Sequence, residues 1–263
     1  MDAFYFGEQP KTLFGAYHAP YAARDRRHGI IMCMPLGQEY VRSHRSFRQL
    51  AVNLAAAGFH VLRFDYYGAG DSSGNYEDGN VQQWLDDIDT AIGELKDYGD
   101  IRTISAVGLR MGATLALLYG SQRKKLHRLV MWDPVINGRN YLSEVSEMHE
   151  DWLKDLLPQP PEDIVQNGGQ EVLGFPLSTQ MAGSIADIDI LDVTAMPAEG
   201  VLIIESEDHE NNTRLAQRFR QQGVSCNKET IPGSRVWRKG EALNSVLMSN
   251  ETLQSITNWF QNK

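Results

Sequence analysis

Short apolar runs alternate with amphipathic segments along most of this chain, and this alternation limits the folds that it can adopt. The runs at residues 29–35 (GIIMCMP) and 200–208 (GVLIIESED) are typical of strands that are covered on both faces of a sheet. Residues 45–58 and 80–99 instead have the apolar spacing of helices. Strands that alternate with helices of this length form right-handed βαβ units. The pattern therefore predicts an α/β fold with a mostly parallel, doubly wound sheet.

Composition and charge narrow the classes of function. With 263 residues, of which 42% are hydrophobic, the chain is long enough to bury a large core. Its net charge of −9 and its scattered basic residues argue against nucleic acid as a partner. The two cysteines, Cys33 and Cys226, form no metal-ligand pattern, so we expect both to be reduced. Because the sequence also has no metal-binding, phosphate-binding or dinucleotide-binding motif, we expect neither a metal nor a cofactor.

The beginning of the chain gives no sign of export. Residues 1–15 lack the basic and apolar regions of a signal peptide, and no apolar run approaches the ~20 residues of a membrane span. We therefore expect a soluble, cytoplasmic protein with no membrane span, and the sequence leaves its oligomeric state open.

Residues 138–198 interrupt the alternation of strands and helices. They separate two predicted core strands and contain helical fragments, a proline-rich stretch at 158–161 and a glycine pair at 168–169. A connection of this length is more often functional than passive. We therefore expect residues 138–198 to form a lid or cap on a core made of residues 1–137 and 199–263.

The segment 105–120 (SAVGLRMGATLALLYG) predicts an apolar strand, a tight turn and an Ala/Leu-rich helix. The turn runs from Gly108 to Gly112, and Arg110 stands at its centre. A guanidinium group stays protonated and only donates hydrogen bonds, so Arg110 cannot attack a carbonyl carbon.

The order of motifs along the chain carries a family resemblance. A strand ending in PLGQE (35–39) precedes a helix, and FDYYGAGDSSG (64–74), the G-x-x-x-G elbow and WDP (132–134) follow. The chain resembles the α/β-hydrolase superfamily over nearly its whole length, and most of all the serine-aminopeptidase-like branch. Within that branch it is similar to hydrolase-like proteins associated with exosortase and polysaccharide gene clusters. The resemblance implies an α/β-hydrolase fold with a helical lid insertion.

The resemblance also implies a role for several positions. It places Arg110 where the family has its nucleophile, and Asp208 where the family has its acid. The loop that would carry the histidine base, residues 231–246, contains no histidine, so the resemblance implies a degenerate catalytic triad. Trp237 lies in that loop, and we expect it to form a pocket wall or to pack in the core.

Backbone N–H groups that would bind an oxyanion are the last part of such a site. Met111 follows the nucleophile position, and Leu36 or Gln38 in the loop 35–39 would supply a second donor. The expected ligand-binding residues are Leu36, Gln38, Glu39, Arg110, Met111, Asp133 and Trp237.

A buried arginine needs an anionic partner, because an unpaired charge inside a protein is costly. We expect Asp208 or Glu205 to neutralise Arg110, with Glu39 and Asp133 as the other candidates. An anionic ligand that binds to Arg110 is the alternative.

Five other residues carry nucleophilic or basic side chains, and the structural interpretation is favoured for each. Cys33 lies inside a predicted strand and is expected to be buried and inert. Ser72 and Ser73 lie in a glycine-rich turn, where such side chains bind the backbone. His44 and His209 are expected at exposed positions, with a place facing the pocket as the alternative.

Three functions fit these observations. The first is non-hydrolytic binding of a small anionic or acyl ligand, in which Arg110 recognises a carboxylate, phosphate or sulfate. The second is a hydrolase, esterase or acyltransferase that uses a non-standard catalytic set. The third is an interaction protein, for example in polysaccharide assembly, in which Arg110 is paired internally and the pocket is filled.

Overall fold

The computed structural model describes residues 1–21, 25–98, 100–156, 170–233, 235–238 and 249–262. The strands in these ranges are β1 (Asp2–Phe6), β2 (Leu13–His18), β3 (His28–Cys33), β4 (His60–Phe64), β5 (Thr103–Leu109), β6 (Leu126–Trp132), β7 (Gln170–Val172), β8 (Phe175–Leu177), β9 (Ala198–Glu205) and β10 (Ser225–Thr230). The helices are α1 (Gly37–Ala56), α2 (Val81–Asp97), α3 (Met111–Gln122), α4 (Gly138–Leu156), α5 (Thr179–Ala186), α6 (Glu210–Gln221) and α7 (Asn250–Gln261). None of these helices has the length and apolar character needed to cross a membrane.

Eight of the strands form one sheet with the order β1-β2-β4-β3-β5-β6-β9-β10. β2 pairs antiparallel with both β1 and β4, whereas every other neighbouring pair is parallel. The predicted mostly parallel α/β fold is therefore confirmed. Because β5, β6 and β9 are parallel neighbours, their carboxyl ends lie side by side at one edge of the sheet.

Helices cover both faces of this sheet, because successive residues of a strand point to opposite sides. Ile31 packs in one apolar cluster with residues of α2, α3 and α6, whereas Ile30 packs in a second cluster with residues of α1 and α7. Both isoleucines are fully buried, as their continuous apolar run predicts. The doubly wound arrangement is therefore confirmed.

Helix α1 begins at Gly37, earlier than the start at residue 45 that the apolar spacing predicts. Polar residues face inward in its first two turns, since Glu39 and Ser43 are both buried. The Ser43 hydroxyl donates to the backbone oxygen of Glu39 at 2.8 Å. These inward polar side chains interrupt the apolar pattern, so the pattern alone predicts a helix start that is too late.

The segment 138–198 contains α4, the β7–β8 hairpin and α5 where the structure describes it. Tyr141 and Val145 of α4 and Met181 and Ile185 of α5 belong to the same apolar cluster as the core helices. Residues 157–169, with the proline-rich stretch and the glycine pair, lie outside the described residues. One face of α4 is thus packed against the core.

Candidate functional site

The turn between β5 and α3 has the strained backbone of a sharp elbow. Arg110 lies at its apex with φ 52° and ψ −122°, a conformation that costs a non-glycine residue about 1–3 kcal/mol. Its backbone N–H donates to the Trp132 backbone oxygen at 2.9 Å, which fixes the turn to the end of β6. Gly112 permits close packing of α3, because a Cβ there would lie 2.2 Å from the Cys33 backbone oxygen.

Arg110 forms ion pairs with two carboxylates. Its Nε donates to Glu39 Oε1 at 2.8 Å, and its Nη2 donates to Glu144 Oε2 at 2.5 Å. The Tyr141 hydroxyl donates to the other oxygen of Glu39 at 3.3 Å. The side chains of Arg110 and Glu39 are only 9% and 3% exposed, whereas that of Glu144 is 35% exposed. The guanidinium group is thus held inside the protein by one buried and one partly exposed carboxylate.

The titration behaviour of this cluster follows from burial and from mutual attraction. Burial lowers the pKa of Arg110, but Glu39 and Glu144 raise it above its usual value, so the guanidinium remains charged. Burial raises the pKa of Glu39, and the neighbouring Arg110 opposes that rise. The charged form of Glu39 therefore depends on Arg110.

The prediction that Asp208 or Glu205 neutralises Arg110 is wrong. Both carboxylates accept hydrogen bonds from Lys228 Nζ, at 2.6 Å in the case of Asp208. The Asp208 side chain, two residues before α6, is 77% exposed. Among the four candidate carboxylates, Glu39 is the partner of Arg110, because the first turn of α1 points the Glu39 side chain into the protein beside the elbow.

Glu144, the second partner of Arg110, is not among the four carboxylates expected from the sequence. Glu144 lies on α4, an amphipathic helix in the segment expected to form a lid. The signal in the sequence is weak, because a glutamate on such a helix is usually solvated. Its contact with Arg110 arises from the packing of Tyr141 and Val145 against the core.

Trp237 and Asp133 form the other side of the site. The Trp237 indole N–H donates to Asp133 Oδ2 at 3.0 Å. The Cζ atom of Arg110 lies 3.9 Å from the centroid of the Trp237 ring, a cation–π contact. Asp133 Oδ1 accepts from the backbone N–H and the hydroxyl of Ser206 at 2.7 Å and 3.0 Å. The expectation that Trp237 packs in the core or lines the pocket therefore agrees with its place.

Replacing Trp237 by phenylalanine tests the indole hydrogen bond. The variant Trp237→Phe keeps an aromatic ring below Arg110 but leaves Asp133 Oδ2 without its donor. We expect the free energy of unfolding to fall by about 1–3 kcal/mol, measured by urea denaturation. Trp259→Phe is the matched control, since the indole N–H of Trp259 has no hydrogen bond within the described part of the chain. An equal loss in both variants would contradict this role for the indole.

A cleft of about 410 Å³ lies beside Arg110 at the carboxyl ends of the strands. Three residues expected to bind a ligand line it, namely Arg110, Asp133 and Trp237. The rest of its lining combines apolar side chains with polar and charged ones, the latter including Asn140, Glu144, Glu207, His209, Arg235 and Arg238. Ligands of open α/β sheets bind at this position, so the cleft is the candidate binding site.

The remaining residues of the expected ligand-binding set lie elsewhere. Leu36, Gln38 and Glu39 line a separate and mostly apolar slot of about 50 Å³, and Tyr141 lines both this slot and the cleft. Met111 is fully buried. The set therefore divides into a cleft side and a slot side, with Tyr141 and the Arg110–Glu39 ion pair between them.

The structural interpretations of Cys33, Ser72 and Ser73 are confirmed. Cys33 is fully buried, and burial raises the pKa of its thiol to about 12. The Ser72 hydroxyl donates to the Asp65 backbone oxygen at 2.6 Å, and the Ser73 hydroxyl donates to that of Thr12 at 2.8 Å. Neither serine hydroxyl lines the cleft, and an un-ionised thiol is a poor nucleophile.

The two candidate histidines lie in different places. His44 lines a small cavity with Tyr40, Arg63 and Asp65, away from the cleft. His209 lines the cleft, and its backbone N–H donates to Glu205 Oε2 at 3.3 Å. Within the described ranges, no group of three or more His, Cys, Asp or Glu side chains has an arrangement that would hold a metal ion.

Comparison with known families agrees with this fold. The model of the family described as serine aminopeptidase, S33, matches residues 39–170. The chain therefore belongs to this family and to the α/β-hydrolase superfamily. A search of curated proteins gave no significant match.

Solved structures of α/β serine hydrolases are similar over nearly the whole chain. Est1E from Butyrivibrio proteoclasticus, solved with ferulic acid bound, has a TM-score of 0.67 and 18% identity, with 98% of this chain and 96% of that chain covered. A Xanthomonas campestris protein, described as an α/β serine hydrolase without a lid, has a TM-score of 0.62 and 14% identity, with 99% and 91% covered. At these identities the likeness shows the fold alone.

Proposed function

We propose that this member of the family binds a small molecule in the cleft and does not hydrolyse esters or amides by the serine mechanism. The observation that carries the proposal is the arrangement of Arg110, Trp237 and Asp133. Arg110 occupies the apex of the elbow in ion pairs, and the Trp237 ring lies between it and Asp133. The turn thus has the backbone shape of a nucleophile elbow, but the residue at its apex is not a nucleophile.

Serine-type hydrolysis needs a hydroxyl, a base that takes its proton and an acid that orients the base. An arginine side chain supplies only donors, and so does an indole. In this proposal Trp237 occupies the position of the histidine base. Asp133, directly after β6, accepts a hydrogen bond from the indole N–H, as the acid of a catalytic triad accepts one from the histidine. Neither the guanidinium nor the indole can accept a proton from a nucleophile, and the Asp133 carboxylate already accepts hydrogen bonds from Trp237 and Ser206, so we regard the triad as degenerate.

The open cleft favours binding over the other functions. A volume of about 410 Å³ falls within the range of small-molecule sites, roughly 300–1,000 Å³. The internal ion pair of Arg110 is what the interaction-protein hypothesis expects. That hypothesis also expects a filled pocket, whereas the space beside Arg110 is open. The asparagine, arginine and carboxylate groups of the lining suit a small ligand with polar groups.

Turnover of short-chain acyl esters tests the absence of serine chemistry. We expect no hydrolysis of p-nitrophenyl acetate or butyrate above the uncatalysed rate, either by the wild type or by Arg110→Ser. The loop in which the family has its histidine, residues 231–246, contains none, so the serine hydroxyl in the variant lacks the base that the serine mechanism needs. An active serine esterase of this fold is the positive control. Ester turnover by the wild type, or turnover that Arg110→Ser creates, would overturn the proposal.

Binding is tested on the wild-type protein with small polar molecules. Trp237 lines the cleft, and its indole N–H is bonded to Asp133, which also lines it, so the NMR signal of this N–H will report on changes beside the cleft. We expect ligands of the cleft to shift this signal together with the backbone signal of Asn140, which lines the same cleft. A set of polar fragments that leaves both signals unchanged would count against a binding function.

A further inference from the structure

The Glu144 carboxylate lies in the cleft at the position where a ligand that binds to Arg110 would also lie. Its carboxylate accepts from Arg110 Nη2 at 2.5 Å, and both residues line the cleft. The Glu144 side chain is 35% exposed, whereas Glu39, the other partner of Arg110, is 3% exposed. The two carboxylates therefore differ in how readily water can replace Arg110 as their partner.

We propose that the position of the Glu144 carboxylate beside Arg110 Nη2 is a subsite for a ligand carboxylate, and that Glu144 occupies this subsite when no ligand is bound. This inference rests on the proposed binding function and adds the chemical class of the ligand, a small carboxylic acid. The ligand carboxylate takes the hydrogen bond of Arg110 Nη2, and Glu144 moves into solvent. Glu39 keeps its hydrogen bond to Nε throughout.

Charge balance supports an exchange of one carboxylate for another. Glu39 and Glu144 already place two carboxylates against one guanidinium group. A ligand anion added without the departure of Glu144 would be a third carboxylate against one guanidinium group, which is unfavourable because like charges repel. Exchange leaves the number of charges at Arg110 constant, and the departing carboxylate is the one that solvent can reach.

The site is also preorganised for a planar anion. The Trp237 ring lies 3.9 Å from the guanidinium carbon, and Glu39 fixes Nε, so the plane of the Arg110 fork is held in place. Asn140 lies one helical turn before Glu144 on α4 and lines the same cleft. A guanidinium fork that is held in this way recognises carboxylates with directed, charge-assisted hydrogen bonds.

The experiment removes the internal competitor and uses acetate as the probe. Glu144→Ala is compared with the wild type and with Glu147→Ala, an exposed glutamate on the same helix. Each protein is titrated with sodium acetate at constant ionic strength, with sodium chloride as the balancing salt. Thermal unfolding and the Trp237 indole signal report binding. A tethered carboxylate competes at millimolar effective concentration, so its removal unmasks the subsite.

We expect acetate to stabilise Glu144→Ala in a saturable way, with a Kd at least about tenfold lower than that of the wild type. Glu147→Ala should behave as the wild type does. If Glu144→Ala is too unstable to measure, Glu144→Gln removes the charge and keeps the shape of the side chain. Equal responses of wild type and variant, or equal responses to acetate and chloride, would overturn the inference.

Failure of this inference is separable from failure of the proposed function. Ester turnover and the binding of polar fragments are measured on the wild type and do not depend on Glu144→Ala. An acetate-insensitive variant with fragment binding intact would refute the carboxylate subsite and leave the binding function standing. Ester turnover by the wild type would refute the proposed function whatever the response to acetate.

Discussion

Replacing Arg110 by methionine is expected to lower the free energy of unfolding by about 3–5 kcal/mol, because it leaves Glu39 buried without its cation. Glu39 has a 3% exposed side chain, and its other described side-chain hydrogen bond comes from the Tyr141 hydroxyl. Urea denaturation at pH 8 measures the loss. The double variant Arg110→Met/Glu39→Gln should recover much of it, since no buried charge is then left unpaired.

The loss in Arg110→Met should also depend on pH. Burial already raises the pKa of Glu39, and the removal of Arg110 removes the group that opposes this rise. A carboxyl whose pKa is higher in the folded than in the unfolded state binds more protons when folded, so stability increases as the pH falls. We therefore expect Arg110→Met to be less destabilised at pH 5 than at pH 8. A pH-independent loss would show that Glu39 is not the source.

Replacing Gly112 by alanine is expected to cost about 3 kcal/mol or more, at the upper end of what overpacking does. The new Cβ would lie 2.2 Å from the Cys33 backbone oxygen and 2.4 Å from that of Met34. Backbone atoms cannot move aside as a flexible side chain can, so α3 or β3 would have to shift. The elbow and Arg110 would shift with them.

Gly93→Ala is the matched control for this substitution. Gly93 also lies in a helix, α2, but it is exposed, and a Cβ there meets nothing within 4 Å. It should stabilise the protein by about 0.5–1 kcal/mol through helix propensity. Thermal or urea unfolding of both variants measures the contrast. A small effect of Gly112→Ala would mean that α3 is not held against β3 as closely as the structure has it.

The sequence predicted those features of the fold that depend on the pattern of neighbouring residues. The alternation of apolar runs and helical spacing predicted the parallel sheet, and the two glycines around Arg110 predicted the elbow. Both features depend on residues close together in the chain. The parallel sheet is confirmed, and the structure has a sharp turn at Arg110 between β5 and α3. The start of α1 was missed because Glu39 and Ser43 face inward, so local polarity indicated the wrong boundary.

The partners of Arg110 were harder to predict, because they come from distant elements. Glu39 precedes Arg110 by 71 residues and Glu144 follows it by 34, and only the packing of α1 and α4 on the sheet brings them together. Asp208 was favoured from the position at which the family has its acid, but it faces solvent and Lys228. A carboxylate at a strand end can point into the site or away from it, and the sequence pattern does not distinguish the two.

Arg110 and Asp133 share an unusual backbone conformation. Both residues have positive φ, 52° and 42°, and each donates its N–H to the end of the neighbouring strand, at Trp132 and Ile204 respectively. Neither position holds glycine, so the hydrogen bonds to the neighbouring strands help to hold both residues at these unfavourable angles. For protein engineering, positions 110 and 133 are two sites on the wall of the cleft whose backbones are fixed by the sheet. A new pair of reactive side chains installed there would inherit its spacing from the sheet, without any redesign of the backbone.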